Sequence, residues 1–220
     1  MPNEKTISIK EKEALYSWFA SLYLYGPTPE LLKVLSDPET MDTLMLFFSD
    51  EPCQTSLEEL SSRTRKATAQ DLRNEFNSLF VVPTKRSYAP PYESCFREKR
   101  REEIGNLWGE TTADVARLYR EAGYEVKDIP GVFAPDHIGV ELAFVSRLYA
   151  DQLKSIENHE SIQADRTDEL RKSFLQKHMA HWIEDFARRV DASDSSSFYK
   201  YLNVLMMSLL CSDLHESHEN

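Results

Sequence analysis

Leu15, Trp18, Phe19, Leu22 and Tyr23 recur at three- and four-residue intervals, the period that gathers side chains along one side of an α-helix. The same spacing returns in Leu72, Phe76, Leu79 and Phe80, then in Leu170, Phe174, Met179, Trp182, Ile183 and Phe186. It appears again in Phe198, Tyr201, Leu202, Leu205, Met206 and Leu209. No stretch shows the two-residue alternation of a half-buried strand, and no segment repeats another. The fold class this dictates is all-α: a multi-helix bundle of roughly eight to ten helices.

Punctuation sets the expected boundaries. Helices are predicted over Glu13–Tyr25 (stopped by Gly26-Pro27-Thr28-Pro29), Glu30–Ser36, Thr40–Phe48, Ser56–Arg65, Ala69–Phe80 and Thr111–Ala122. Thr111 or Thr112 would cap the last of these and Gly123 end it. Pro83 to about Ile104 reads as irregular. Pro135 and Asp136 read as a helix start, with Asp136 able to cap, and the helix runs to about Ile156. Ser155–Asp165 is polar and aperiodic, so it reads as a loop or hinge within one all-helical domain spanning residues 1–220. Asp168–Val190 follows as one helix, Ser193–Ser197 as a break, Ser196–Leu210 as the closing helix and Ser212–Asn220 as a frayed tail.

Composition narrows the function. No run approaches the ~18 apolar residues of a membrane span. The start Met1-Pro2-Asn3-Glu4-Lys5 has no basic region followed by an apolar block, so no export signal is expected. Cys53, Cys95 and Cys211 are odd in number and far apart, which fits a reducing cytoplasm better than a disulfide framework. A net charge of −11 argues against nucleic acid and favours a basic peptide as partner. The run Lys99-Arg100-Arg101 is balanced by Glu98, Glu102 and Glu103 and reads as a solvated turn.

Two segments stand out. Pro135-Asp136-His137-Ile138-Gly139-Val140-Glu141-Leu142 puts three polar groups into an apolar helix start, with His137 and Glu141 on one face. Tyr88-Ala89-Pro90-Pro91-Tyr92-Glu93-Ser94-Cys95-Phe96 is a rigid turn with too many aromatics to be solvated. Enzyme chemistry finds little purchase here. His178, His181 and Asp185 fall at helical spacing but have no Glu-x-x-His partner, and no zinc motif is present. A Cys95–His137 pair has no nucleophile elbow behind it, and the six glycines form no phosphate loop.

In order along the chain stand Leu72-x-x-Glu75-Phe76-x-x-Leu79-Phe80-x-x-Pro83, Pro90-Pro91-Tyr92-Glu93-Ser94, Pro135-Asp136-His137 with Glu141-Leu142-x-Phe144, and the aromatic series Phe174, His178, Trp182, Phe186, Phe198-Tyr199. This order and spacing resembles the TorD/DmsD family of redox-enzyme maturation chaperones, from about Leu15 to about Leu210. The resemblance implies a cytoplasmic, system-specific chaperone without catalytic turnover or cofactor. Its partners would be the twin-arginine signal peptide and the apo form of a molybdenum-cofactor oxidoreductase, of the dimethyl sulfoxide or trimethylamine N-oxide reductase kind. Export would be held back until cofactor insertion and folding are complete. A monomer or a domain-swapped homodimer is implied. Phe76, Leu79, Phe80, Pro91 and Tyr92 would form an apolar groove, and Asp136, Glu141 and Glu93 would pair with the arginines, with His137 holding Glu141 or the loop in place. The other readings are a metal- or small-molecule-handling helical enzyme and a stable structural subunit of a redox complex.

Overall fold

The computed structural model describes residues 8–83, 87–97, 107–126, 128–193 and 198–216. Eleven α-helices run through them: α1 (Ile9–Tyr25), α2 (Pro29–Leu32), α3 (Pro38–Phe47), α4 (Glu51–Lys66), α5 (Ala69–Phe76), α6 (Glu93–Arg97), α7 (Glu110–Glu121), α8 (Ile138–Glu157), α9 (Ser161–Lys177), α10 (Ile183–Asp191) and α11 (Phe198–Glu216). Among the described residues there is no strand, only one isolated antiparallel bridge between Tyr92 and His137. The all-α reading holds.

Local chemistry explains the helix starts. Ser8 and Glu11 form a reciprocal capping box ahead of α1, so that helix begins four residues before Glu13. Thr28, Asp37, Asp50 and Thr68 cap α2 to α5 through their side-chain oxygens. Asp50 moves the start of α4 forward to Glu51 from the expected Ser56. Gly26 ends α1 at φ 70°, and Gly123 follows α7 at φ 65°, the left-handed geometry that glycine adopts without strain.

The long helices set the architecture. α1 packs along α8, α8 folds back on α9, and α11 lies on α4. One continuous apolar core joins them, from Leu15 on α1 to Leu210 on α11. Phe80 stacks on Phe186 and meets Tyr199 edge-on, while Tyr23 closes the same aromatic group. At the other end of α11, the buried Asp213 carboxylate accepts from Tyr16 (2.8 Å) and Tyr149 (2.5 Å). It also pairs with Lys12 (2.7 Å) and Arg171 (3.3 Å), tying α11 to α1, α8 and α9.

Several boundaries depart from the sequence reading. Ser155–Asp165 is not a loop: α8 continues to Glu157 and α9 starts at Ser161, leaving a tight turn in which His159 takes φ 61°. The expected helix Asp168–Val190 is broken at His178–Trp182, where a short 3₁₀ segment (Met179–His181) redirects the chain. The segment after Pro83 contains α6, and α11 continues past Leu210 to Glu216, while residues 217–220 of the expected tail lie outside the described residues. Gly109, not a threonine, precedes α7, and Thr112 lies buried inside it. The Lys99–Glu103 run and most of the Ser193–Ser197 break fall outside the described residues. No described helix is long and apolar enough to cross a membrane.

Candidate functional site

The two unusual segments of the sequence meet. Ile138 N–H donates to the Pro91 carbonyl (2.8 Å) and Glu93 N–H to the Asp136 carbonyl (3.0 Å), the two bonds of the Tyr92–His137 bridge. Pro90-Pro91 fixes an extended backbone that can pair this way, because neither residue can continue a helix there. The Tyr92 and His137 rings meet edge-on at 5.1 Å, and the Tyr92 hydroxyl accepts from Phe133 N–H (3.1 Å).

Each polar side chain has a structural task. Asp136 does not cap α8; its Oδ2 accepts from Ser94 N–H (2.8 Å) and so holds the first turn of α6. His137 caps α8 instead, its Nδ1 accepting from Gly139 N–H (3.0 Å). Burial pushes the His137 imidazole down to about 3, so it is neutral at ordinary pH and able to accept. That role leaves it poorly suited to activate Cys95, which is itself buried. Glu141 accepts from Trp182 Nε1–H (3.2 Å). Its carboxyl is held well above the usual range by desolvation first, then by the charges of Glu93 and Asp136. Asp136 is raised too, chiefly by burial, with Ser94 working in the opposite sense.

Glu93 joins this polar cluster to the surface. Its Oε2 lies 2.9 Å from His178 Nδ1, and its Oε1 accepts from Arg97 Nη1 (2.6 Å). The same Arg97 nitrogen donates to the Lys177 carbonyl (3.0 Å). His178 is therefore turned inward onto Glu93, whereas His181 is exposed, and the two do not converge as ligands would. Five oxygens of this cluster are buried without a well-formed hydrogen bond among the described residues: Ser94 Oγ, Thr112 Oγ1, Tyr119 Oη, Asp136 Oδ1 and Glu141 Oε1. Tyr119 feels burial first and then the charges of Glu141, Asp136 and Glu93, which places its ring in this same group.

The nine nominated residues therefore divide into two groups. Pro91, Tyr92, Glu93, Asp136, His137 and Glu141 come together around the bridge. Phe76, Leu79 and Phe80 belong to the aromatic core, in which Phe186 joins Phe80 to the Phe96–Trp182 pair. All nine are buried, so together they do not form an open groove. Arg97 and Tyr119 were missed, Thr112 was expected only as a helix cap, and His178 was noted only for metal and in the aromatic series; for Arg97 the four-residue spacing from Glu93 was the available signal.

Comparison with known proteins places this arrangement. Residues 49–188 match the family model described as nitrate reductase delta subunit. The chain is 26% identical to chaperone protein TorD of Escherichia coli O157:H7 over 98% of both chains, and 25% identical to that of strain K12 over the same share. Chaperone protein TorD of Shigella boydii serotype 18 is 26% identical over 98% of both chains. A crystal structure of a candidate redox enzyme maturation protein from Archaeoglobus fulgidus aligns over 94% of this chain and 93% of its own, at 20% identity and a TM-score of 0.48. Because the family match takes in well over half of the chain, the protein belongs to the nitrate reductase delta subunit family, the family of TorD.

Proposed function

We propose that this protein is a cytoplasmic chaperone for a molybdenum-cofactor oxidoreductase, binding its twin-arginine signal peptide and apo form and delaying export until the cofactor is in place. The carrying observation is similarity to chaperone protein TorD over 98% of both chains, within a shared family. The work proposed is binding, with no bond made or broken and no cofactor. The net charge of −11 supports a basic partner. Apolar contact would come from exposed side chains near the bridge: Phe133, two residues before Pro135, is 68% exposed. Burial of the apolar signal core at ~25 cal/mol per Å² would supply affinity, and arginine–carboxylate pairs would supply selectivity.

The family description itself favours a second reading, a subunit that stays with its enzyme. Calorimetric titration with twin-arginine signal peptides of molybdoenzymes, each beside a control with both arginines replaced by alanine, separates the two. Micromolar or tighter binding, lost in the control, is the expected result. No binding across the panel, together with co-purification in a fixed ratio with a redox enzyme, would establish the subunit reading instead.

A further inference from the structure

Arg97 ends α6 at the surface, with its side chain 34% exposed, and covers a carboxylate that is otherwise wholly buried. Both of its bonds use one nitrogen: Nη1 donates to Glu93 Oε1 (2.6 Å) and to the Lys177 carbonyl (3.0 Å). Lys177 is the last residue of the seventeen-residue α9, so that carbonyl belongs to the negative end of a helix dipole. Behind Glu93 lie the buried carboxyl groups of Asp136 and Glu141. The Glu93 carboxylate, whose other oxygen faces His178 at 2.9 Å, and the Lys177 carbonyl thus converge on one guanidinium, which a single side-chain rotation would release to solvent while its backbone stays in place.

We propose that Glu93 and the Lys177 carbonyl form a receptor for a guanidinium, occupied in the free protein by the chain's own Arg97 and taken over by an arginine of the bound peptide. This rests on the peptide-binding reading above and gives it an address. Exchange of one arginine for another leaves the buried carboxylate paired throughout, so the large cost of stranding that charge is never incurred. Lysine fits less well: it is a compact, strongly hydrated charge without the planar fork that can span a carboxylate and a neighbouring carbonyl. The internal arginine thereby acts as a competitor that a weak cationic ligand cannot displace.

The test is Arg97→Ala, with Arg97→Gln beside it should the alanine variant fold poorly. N-acetylarginine amide should raise the melting temperature of the variant but not of wild type, and N-acetyllysine amide should do so less. A twin-arginine signal peptide should bind the variant about tenfold tighter, the scale of one charge-assisted hydrogen bond that no longer has to be exchanged. Adding Glu93→Gln should abolish both gains. A folded variant that ignores the arginine probe and binds peptide no more tightly than wild type overturns the proposal and leaves Arg97 as a structural clamp. If wild type and variant bind no peptide while the variant still takes up N-acetylarginine amide, the receptor stands and the signal-peptide reading fails.

Discussion

The Glu141 carboxyl is pushed toward its protonated form by its surroundings, with desolvation the first cause and the charges of Glu93 and Asp136 the next. Its folded pKa lies above the ordinary 4.5, so the folded state binds more protons than the unfolded chain over that window. Stability from this group is therefore fully present below about 4.5 and is lost as pH climbs toward the folded value. Glu141→Gln keeps an acceptor for Trp182 and removes the ionisation. We expect the variant to match wild type within about 1 kcal/mol near pH 5 and to be more stable near pH 8, by roughly 1–3 kcal/mol. Urea midpoints at the two pH values check this, and a variant weaker than wild type at the higher pH would refute it. The sequence showed that His137 and Glu141 share a helix face, because spacing dictates that much. It could not show that this face turns inward, nor that His137 displaces Asp136 as the cap. Those outcomes depend on the Pro91–Ile138 pairing, which brings together residues far apart in the chain.

Among the elements, the α1–α8 crossing is the closest approach that glycine permits. A Cβ at Gly139 would sit 2.6 Å from Leu24 Cγ and 3.1 Å from the Ala20 carbonyl oxygen. Leu24 can change rotamer, but the Ala20 backbone cannot move without its helix. Gly139→Ala should therefore destabilise by about 1–2 kcal/mol, the overpacking cost less the gain in helix propensity. Equal or higher stability in chemical unfolding would show that the crossing has slack. Helix existence was legible wherever an apolar stripe faced the core, as in α1, α5 and α11. The start of α9 was not, because its buried positions are Ala164, Thr167 and Arg171, which carry no hydrophobic period. The break after α9 was hidden for the opposite reason: Phe174, Met179, Trp182, Ile183 and Phe186 stay buried through the change of direction.

At the scale of the molecule, one carboxylate near the end of the chain closes the bundle. Asp213 is completely buried, and through Lys12, Tyr16, Tyr149 and Arg171 it fastens α11 to three other helices. Nothing in the sequence marked it, since a single Asp between Ser212 and Leu214 resembles any polar tail. Two cations at 4% side-chain exposure, Lys12 and Arg171, pair with it, and Arg171 also pairs with Asp168. Asp213→Asn removes the charge while keeping the shape, so it leaves buried cations with too little compensation. The expected loss is about 3–5 kcal/mol, much larger than for any exposed pair such as Arg147–Asp151. Adding Lys12→Met should restore part of that loss, because an apolar chain of similar length is better buried than an unbalanced ammonium. Urea unfolding of the single and double variants measures this, with hydrogen exchange over 198–216 as the local readout. A single variant that retains wild-type stability, with protection along α11 unchanged, would mean that apolar packing on α4 alone holds the helix.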